Sequence, residues 1–217
     1  MQQQLTGLDA SFLALETANT TGHVGGLSVL DPSGAPEPLT LARLTEVMAE
    51  RVALVPVLRC KLLNVPLGLD QPYWVDDPNF DIEYHVREIA LPRPGSDAQL
   101  AEQVSRLHAR PLDRSRPLWE MYFAEGMADN RFAVIGKVHH ALADGVASAN
   151  LMAKAMDLKG PIQDERDLYA TNAPPSKGEL VAAAGRDHMR QLGRLPRLAR
   201  ETAAATSSPF DGGALVA

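Results

Sequence analysis

The sequence has little cysteine and no long apolar run, and both absences limit the class of protein to which it can belong. The 217 residues include a single cysteine, Cys60, so an internal disulfide is excluded and a reducing compartment is expected. No apolar stretch approaches the roughly 20 residues that a membrane-spanning helix needs. Residues 1–5 carry neither the basic nor the apolar region of a secretory signal. These features predict a cytoplasmic protein, and its composition of 45% hydrophobic and 22% charged residues is typical of a globular chain.

Positive charge is scarce except near the end of the sequence. The net charge of −6 argues against a general nucleic-acid binder. Residues 177–205 nevertheless carry six Lys and Arg against three Asp and Glu. Four apolar residues interleave with these charges: Met189, Leu192, Leu195 and Leu198. This basic amphipathic pattern predicts a helix, which Pro196 should kink or split, that contacts an anionic membrane or lipid-droplet surface or packs against another part of the protein.

Hydrophobic periodicity predicts a mixture of helices and strands. Helices are predicted over Thr6–Leu15, Thr40–Val55, Ser96–Ala109 and Val146–Leu158, with Thr6 and Thr40 as N-caps. Strands are predicted over Gly22–Leu30, Val57–Asn64, Tyr73–Val75, Ile82–Ile89, Leu118–Ala124 and Arg131–Val138. Because the mixture has no regular βαβ period, it indicates an α/β sandwich rather than a doubly wound sheet.

A histidine pair lies where a strongly apolar strand runs into a predicted helix. His139 and His140 follow the strand, and three residues separate His140 from Asp144 and Gly145. A histidine at the end of a buried strand is held rigidly while staying open to substrate. Because imidazole titrates near neutral pH, His140 could take a proton from an alcohol as a general base. Gly145 would let the backbone turn sharply.

Other interpretations of the pair are weaker or stay open. Adjacent side chains on a strand point to opposite faces, and no set of Cys, His and carboxylate residues has metal-ligand spacing, so no metal site is predicted. Cys60 lies in an apolar stretch and is expected to be buried and inert. The lack of a partnered nucleophile favours direct transfer over a covalent intermediate. The residues alone leave a purely structural role for the two histidines open.

The segment His139–Gly145 resembles the HHxxxDG motif of an acyltransferase superfamily that includes wax ester synthases, chloramphenicol acetyltransferase and peptide-synthetase condensation domains. Three further segments, Leu8–Glu16, His23–Leu27 and Pro111–Glu120, are similar to the bacterial wax ester synthase/diacylglycerol acyltransferases, particularly the actinobacterial triacylglycerol synthases. The last segment contains the Pro-Leu-Trp signature of that family. The resemblance covers nearly the whole chain in the family's order.

The resemblance implies a two-layer α/β sandwich of the chloramphenicol acetyltransferase and condensation-domain type, with a mixed sheet and flanking helices. Residues 1–158 would form the N-terminal subdomain that carries the motif. Residues 159–177 would be a linker, and residues 178–217 a helical crossover toward a C-terminal subdomain. Since family members continue into that second half, this chain is expected to be the N-terminal half of a two-subdomain enzyme.

The resemblance also implies roles for the motif residues. His140 would be the general base, and His139 would be structural, with its side chain facing away from the channel. Asp144 would pair with an arginine and fix the shape of the turn that Gly145 completes. Arg59 is the expected partner, because Pro56–Arg59 resembles the arginine-bearing segment of condensation domains.

Pro117, Leu118 and Trp119 would support the site by packing beside the catalytic strand. The implied activity is transfer of a fatty acyl group from acyl-CoA to diacylglycerol, and also to long-chain alcohols. No cofactor is expected beyond acyl-CoA as co-substrate. The expected partners are the C-terminal half, the inner face of a membrane and lipid droplets. Two alternatives stay open: an enzyme with a carrier-protein donor, and a non-catalytic half that binds lipid.

Overall fold

The computed structural model describes residues 3–17, 19–142 and 174–206, and its regular elements follow the predicted mixture of helices and strands. In chain order they are β1 Gln3–Gln4, α1 Gly7–Leu15, β2 His23–Leu30, α2 Leu41–Leu54, β3 Cys60–Leu63, β4 Tyr73–Asp76, α3 Ile82–His85, β5 Val86–Ala90, α4 Asp97–His108, β6 Trp119–Glu125, β7 Phe132–His139 and α5 Lys177–Thr206. The helix predicted over Val146–Leu158 lies outside the described residues.

Three helices begin at side-chain caps that the sequence makes available. The Thr6 hydroxyl accepts a hydrogen bond from Asp9 N–H while the Asp9 carboxylate accepts one from Thr6 N–H, which closes a capping box. Ser96 and Gln99 form a second capping box at the start of α4. The Thr40 hydroxyl caps α2. The predicted caps Thr6 and Thr40 are therefore confirmed.

Two sheets organise the strands. The four-stranded sheet has the order β2-β7-β6-β5, in which β7 is antiparallel to both neighbours and β5 is parallel to β6. In register, Val138 of β7 lies opposite Val24 of β2 on one side and Trp119 of β6 on the other. A smaller antiparallel sheet has the order β1-β4-β3. The strand that carries the histidine pair is thus a central strand, as its composition predicts.

The four-stranded sheet buries residues on both faces, so every residue of β7 is buried. One face joins the larger apolar cluster, which includes Trp119, Met121, Phe123, Phe132, Val134 and Val138. The other face packs on Leu100 and Leu107 of α4 through Tyr122, Ala124, Ala133 and Ile135. Helices therefore flank a mixed sheet, and the predicted α/β class is confirmed.

The strand predicted over Val57–Asn64 begins later than expected. Residues Pro56–Arg59 form a 3₁₀ turn, and β3 covers only Cys60–Leu63. Proline supplies no N–H to a strand ladder and holds φ near the helical value, which favours a turn at this point. The apolar side chains of Val57 and Leu58 are still buried, so a short apolar run could not distinguish the turn from a strand.

The strand predicted over Ile82–Ile89 is likewise divided. Ile82–His85 form one helical turn, α3, before β5 begins at Val86. The Asp81 side chain accepts a hydrogen bond from Glu83 N–H and caps this turn. The prediction missed the turn because it weighed apolar spacing over the capping aspartate.

The contacts divide the described residues into two compact units. Those within 1–64 and 71–174 form the first, and those within 65–70 and 175–206 the second. In the second unit, α5 packs on the turn at Pro66–Gly68 and runs as one helix through position 196. The helix is therefore not split at Pro196, and the kink that the sequence also allows stays a prediction. A proline removes only one helical hydrogen bond, which a long helix tolerates at a cost of about 3 kcal/mol. The predicted boundaries at 158 and 177 stay predictions, because 143–173 lie outside the described residues.

Candidate active site

The backbone at the end of β7 is held from both sides. His139 N–H donates to the Leu118 carbonyl at 3.0 Å, and His140 N–H donates to the Gly22 carbonyl at 2.8 Å. Leu142 N–H then donates to the His139 carbonyl at 2.9 Å and starts a turn. The two histidines therefore lie at the point where β7 ends and a turn begins.

His140 is half-buried and faces α1. Its ring stacks on Phe12 with centroids 4.8 Å apart and an interplanar angle of 18°. Its Nδ1 atom is buried and has no hydrogen-bond partner among the described residues. The ring is therefore held flat against a phenyl group, with Nδ1 on its buried edge. This is an arrangement in which an imidazole can act as a base.

His139 is fully buried. It lies two residues after Lys137, whose Nζ donates to the Leu107 carbonyl of α4, so its side chain is on the α4 side of the sheet. Its Nδ1 accepts a hydrogen bond from Ala141 N–H at 3.0 Å. Burial, more than any other influence, lowers the pKa of His139 to about 4. The neighbouring Arg114 adds to the lowering, and Glu16 opposes it. His139 is thus a neutral imidazole at physiological pH.

A nearly buried carboxylate lies beside the His139 ring. Glu16 Oε1 is 3.7 Å from His139 Nε2 and accepts a hydrogen bond from Gly22 N–H at 3.1 Å. Arg114 donates to Glu16 Oε2 through Nε at 2.9 Å and through Nη2 at 2.6 Å. Burial alone raises the pKa of the Glu16 carboxyl, but the hydrogen bonds from Gly22 and Arg114 outweigh it and hold that pKa below its ordinary value.

Glu16 and Arg114 were not among the site residues that the sequence predicted. Both lie inside the segments that carry the family resemblance, Leu8–Glu16 and Pro111–Glu120. They are separated by 98 positions, so no local spacing indicates that they pair. The resemblance of those two segments was the one available signal.

The Pro-Leu-Trp residues are buried at the start of β6 rather than placed at an open surface. Pro117, Leu118 and Trp119 are all buried. Trp119 Nε1 donates to the Leu58 carbonyl at 2.7 Å, and its own carbonyl is hydrogen-bonded to His85 Nδ1 at 2.7 Å. The rings of Trp119 and His85 stack at 4.6 Å. These contacts tie β6, the strand next to β7, to the segments that precede β3 and β5.

Arg59 forms an ion pair with Asp76, in which Nη2 and Oδ1 are 3.2 Å apart. Its Nε is buried and has no hydrogen-bond partner within the described ranges. Asp144 and Gly145 lie outside the described residues, so the expected pairing of Arg59 with Asp144 stays a prediction.

Cys60 is buried, as its apolar surroundings predict. Burial, with a smaller contribution from Asp76, raises the pKa of its thiol to about 12, so it is protonated at neutral pH and is a poor nucleophile. In the part of the chain that the structure describes, no three His, Cys, Asp or Glu side chains cluster as metal ligands. No helix among the described residues is long and apolar enough to cross a membrane.

Comparison with known proteins agrees with the predicted family. The sequence model of the wax ester synthase/diacylglycerol acyltransferase catalytic domain matches residues 5–211. A Mycobacterium tuberculosis protein named as a diacylglycerol O-acyltransferase is 41% identical over 201 residues, which cover 92% of this chain and 42% of that protein. The probable diacylglycerol O-acyltransferase tgs3 of M. tuberculosis is 41% identical over 194 residues, which cover 89% of this chain and 71% of that protein. Relative to the first of these, the chain spans about two fifths of the length.

Solved structures agree with the predicted fold type. The wax ester synthase/diacylglycerol acyltransferase of Marinobacter aquaeolei VT8 superposes with a TM-score of 0.60 at 37% identity, over 70% of this chain and 38% of that one. The first condensation domain of the calcium-dependent antibiotic synthetase has a TM-score of 0.58 at 22% identity, over 97% of this chain and 49% of that one, and supports the fold alone. On its sequence, its fold and the placement of its histidine pair, the chain belongs to the wax ester synthase/diacylglycerol acyltransferase family.

Proposed function

We propose that this chain carries the catalytic base of an O-acyltransferase that moves a fatty acyl group from acyl-CoA to diacylglycerol, and also to long-chain alcohols. The observation that supports this most is the His140 ring, half-exposed at the end of a buried strand and stacked on Phe12. The names of the related proteins supply the substrate class. The ring supplies the proton transfer that such a reaction needs.

In the proposed reaction, His140 Nε2 takes the proton from the acceptor hydroxyl. The hydroxyl oxygen then attacks the thioester carbonyl carbon and forms a tetrahedral intermediate. Collapse of that intermediate forms the ester bond, breaks the carbon–sulfur bond and releases CoA as a thiolate. The thiolate recovers the proton from His140, so the base is regenerated and no covalent acyl-enzyme forms.

The other motif residues take supporting roles in this proposal. His139 is structural, and Asp144 pairs with Arg59 and fixes the turn that Gly145 completes. Breaking a buried pair of this kind costs about 3–5 kcal/mol, so an Asp144 variant is expected to lose activity through misfolding. Pro117, Leu118 and Trp119 position β6 by packing, which their burial supports.

The test is acyl transfer from radiolabelled palmitoyl-CoA to dioleoylglycerol. Because longer relatives extend well beyond this chain, the chain is assayed alone and mixed with the uncovered C-terminal segment of such a relative. His140→Ala is expected to abolish transfer, while Arg106→Ala, at an exposed position of α4, leaves it unchanged. Normal turnover by a folded His140→Ala variant would remove His140 from the mechanism.

The choice of acyl donor separates this proposal from its alternatives. Palmitoyl-CoA and palmitoyl-carrier protein are supplied in competition, and preferential use of the CoA thioester is expected. Preference for the carrier protein would indicate a condensation-type enzyme. A well-folded complex with the C-terminal segment that binds lipid without any transfer would indicate a non-catalytic half.

We also propose that α5 contacts an anionic lipid surface. Val181, Met189 and Leu192 are exposed and fall within about 80° of one another around the helix axis. Arg186 is exposed about 60° from Met189 around the same axis, which is the pattern of an interfacial helix. Co-sedimentation with phosphatidylglycerol vesicles, but not with phosphatidylcholine vesicles, is expected.

A matched pair of variants tests the lipid contact. Arg186→Glu should reduce vesicle binding, whereas Arg106→Glu on exposed α4 should not. Equal binding by both variants would contradict the proposal.

A further inference from the structure

The Glu16 carboxylate joins three separate parts of the chain around the His139 ring. It lies at the C-terminal end of α1, its side chain is only 7% exposed, and Oε2 is occupied by two donors from Arg114. Arg114 is anchored in turn by a hydrogen bond from Nη2 to the Leu13 carbonyl at 2.6 Å. Oε1 faces Gly22 N–H and His139 Nε2. Both oxygens therefore face donors, which is what an ionised carboxylate requires.

This arrangement selects one tautomer of His139. The Nδ1 atom accepts a hydrogen bond from Ala141 N–H, so in the neutral ring the proton must be on Nε2. The Glu16 Oε1 atom is 3.7 Å from Nε2, which is beyond hydrogen-bond distance, so its negative charge stabilises the proton on Nε2 electrostatically. The opposite tautomer would place a lone pair against the carboxylate and a proton against Ala141 N–H. Both contacts would be repulsive.

The tautomer of His139 affects the backbone turn from which the His140 side chain projects. The bond from Ala141 N–H to His139 Nδ1 spans His140 and helps to close the turn that follows β7. The Glu16 carboxylate also accepts a hydrogen bond from Gly22 N–H, and the Gly22 carbonyl accepts one from His140 N–H. Glu16 therefore reaches the His140 backbone by two routes, one on each side.

The space around the ring agrees with this role. A Cβ atom placed on Gly22 would lie 2.7 Å from His139 Nε2, so the glycine lets the β2 backbone close against the ring.

We infer that Glu16, held by Arg114, fixes the Nε2–H tautomer of His139 and thereby the turn that presents His140. Glu16 and Arg114 are positioning residues, since neither needs to touch the substrate. The consequence for catalysis rests on the proposed acyltransferase function. The tautomer of His139 and the shape of the turn do not depend on that function. The structural part of the inference can therefore be tested separately from its effect on catalysis.

Glu16→Gln is the informative variant, because the amide has the size of the carboxylate but a fixed division of donor and acceptor. Arg114 presents two donors to Oε2, so the amide oxygen should take that position. The amide NH₂ then faces His139 Nε2 and Gly22 N–H. It can donate to Nε2 only if the ring proton moves to Nδ1, and Ala141 then loses its acceptor.

The first measurement is the nitrogen-15 NMR spectrum of the chain labelled at histidine. In the unmodified chain, His139 is expected as the pure Nε2–H tautomer, and in Glu16→Gln a substantial share should shift to Nδ1–H. Glu46→Gln is the matched control, because Glu46 pairs with Arg43 on the exposed face of α2. An Nδ1–H tautomer in the unmodified chain would overturn the inference even if Glu16→Gln failed to fold. So would an unchanged tautomer in a folded Glu16→Gln variant.

The second measurement is steady-state kinetics of acyl transfer by the chain with the C-terminal segment. Glu16→Gln is expected to lower kcat by about 100-fold, the scale of effect that a misplaced reacting group produces, while KM for both substrates stays within about twofold. Arg114→Lys keeps the positive charge but not both hydrogen bonds, so its kcat should fall between those of the unmodified protein and of Glu16→Gln. A raised KM with unchanged kcat would assign Glu16 to substrate binding and overturn the positioning role. Absence of transfer in the unmodified protein would count against the proposed function, while the NMR result would still decide the tautomer.

Discussion

Acidification should destabilise the fold through His139. Because the folded-state pKa of this residue is about 4, against an ordinary value of 6.5, the unfolded chain takes up the proton first as the pH falls. The stability that comes from the neutral, buried ring is therefore complete above pH 6.5 and is lost progressively toward pH 4. A difference of about 2.5 between the two pKa values corresponds to about 3 kcal/mol, of which about 2 kcal/mol should be gone by pH 5.

The assay is urea unfolding followed by circular dichroism between pH 4 and pH 7.5, with His139→Asn as the reference. The asparagine oxygen can still accept from Ala141 N–H, but the side chain does not titrate. His23, His85 and His108 also have pKa values lowered by burial, and they contribute to the pH dependence of both proteins. The free energy of unfolding of the two proteins should therefore converge as the pH falls. Parallel curves would refute the account of His139 as a neutral buried ring.

Three further changes have outcomes that the structure dictates. Trp119→Phe removes the hydrogen bond from Nε1 to the Leu58 carbonyl, so the free energy of unfolding should fall by about 1–3 kcal/mol, measured by urea denaturation; an unchanged midpoint would contradict the buried contact. Gly22→Ala places a Cβ 2.7 Å from His139 Nε2, and overpacking of this kind should cost about 1–3 kcal/mol; a fully stable variant would show that the strand yields. The Cys60 thiol, with a pKa of about 12, should react with iodoacetamide at pH 8 far more slowly in the native chain than in urea, and equal rates would exclude its burial.

Much of the fold follows from local patterns. The run from Phe132 to Val138 is apolar and rich in β-branched residues, and it forms a central strand because both faces of that sheet are covered. The starts of α1 and α2 follow from Thr6 and Thr40, whose hydroxyls satisfy N–H groups that the helix leaves free. In these places the local preference and the tertiary environment agree, so composition and spacing suffice.

Local patterns fail where two conformations bury the same side chains. Val57 and Leu58 are apolar and buried, which suits a strand and a 3₁₀ turn equally, and only Pro56 distinguishes the two. Ile82–His85 presents the same ambiguity, resolved by the cap that Asp81 provides. Both errors arise from interpreting a short apolar run as evidence for a strand. An apolar run indicates burial, but burial by itself does not specify the backbone conformation.

The candidate site also has one part that the sequence pattern predicts and one part that it does not. The alternation of side chains on a strand indicates that His139 and His140 point to opposite faces, so the pattern itself separates a buried ring from an accessible one. The ring's surroundings are a different matter, because Glu16 looks like an ordinary acid after a helix and Arg114 like an ordinary loop cation. Their pairing depends on a contact across 98 positions, which becomes visible only when α1, β2 and β7 are folded together. A buried carboxylate between an arginine and a neutral histidine is expensive to desolvate, and the positioning of the proposed general base would be the gain that offsets this cost.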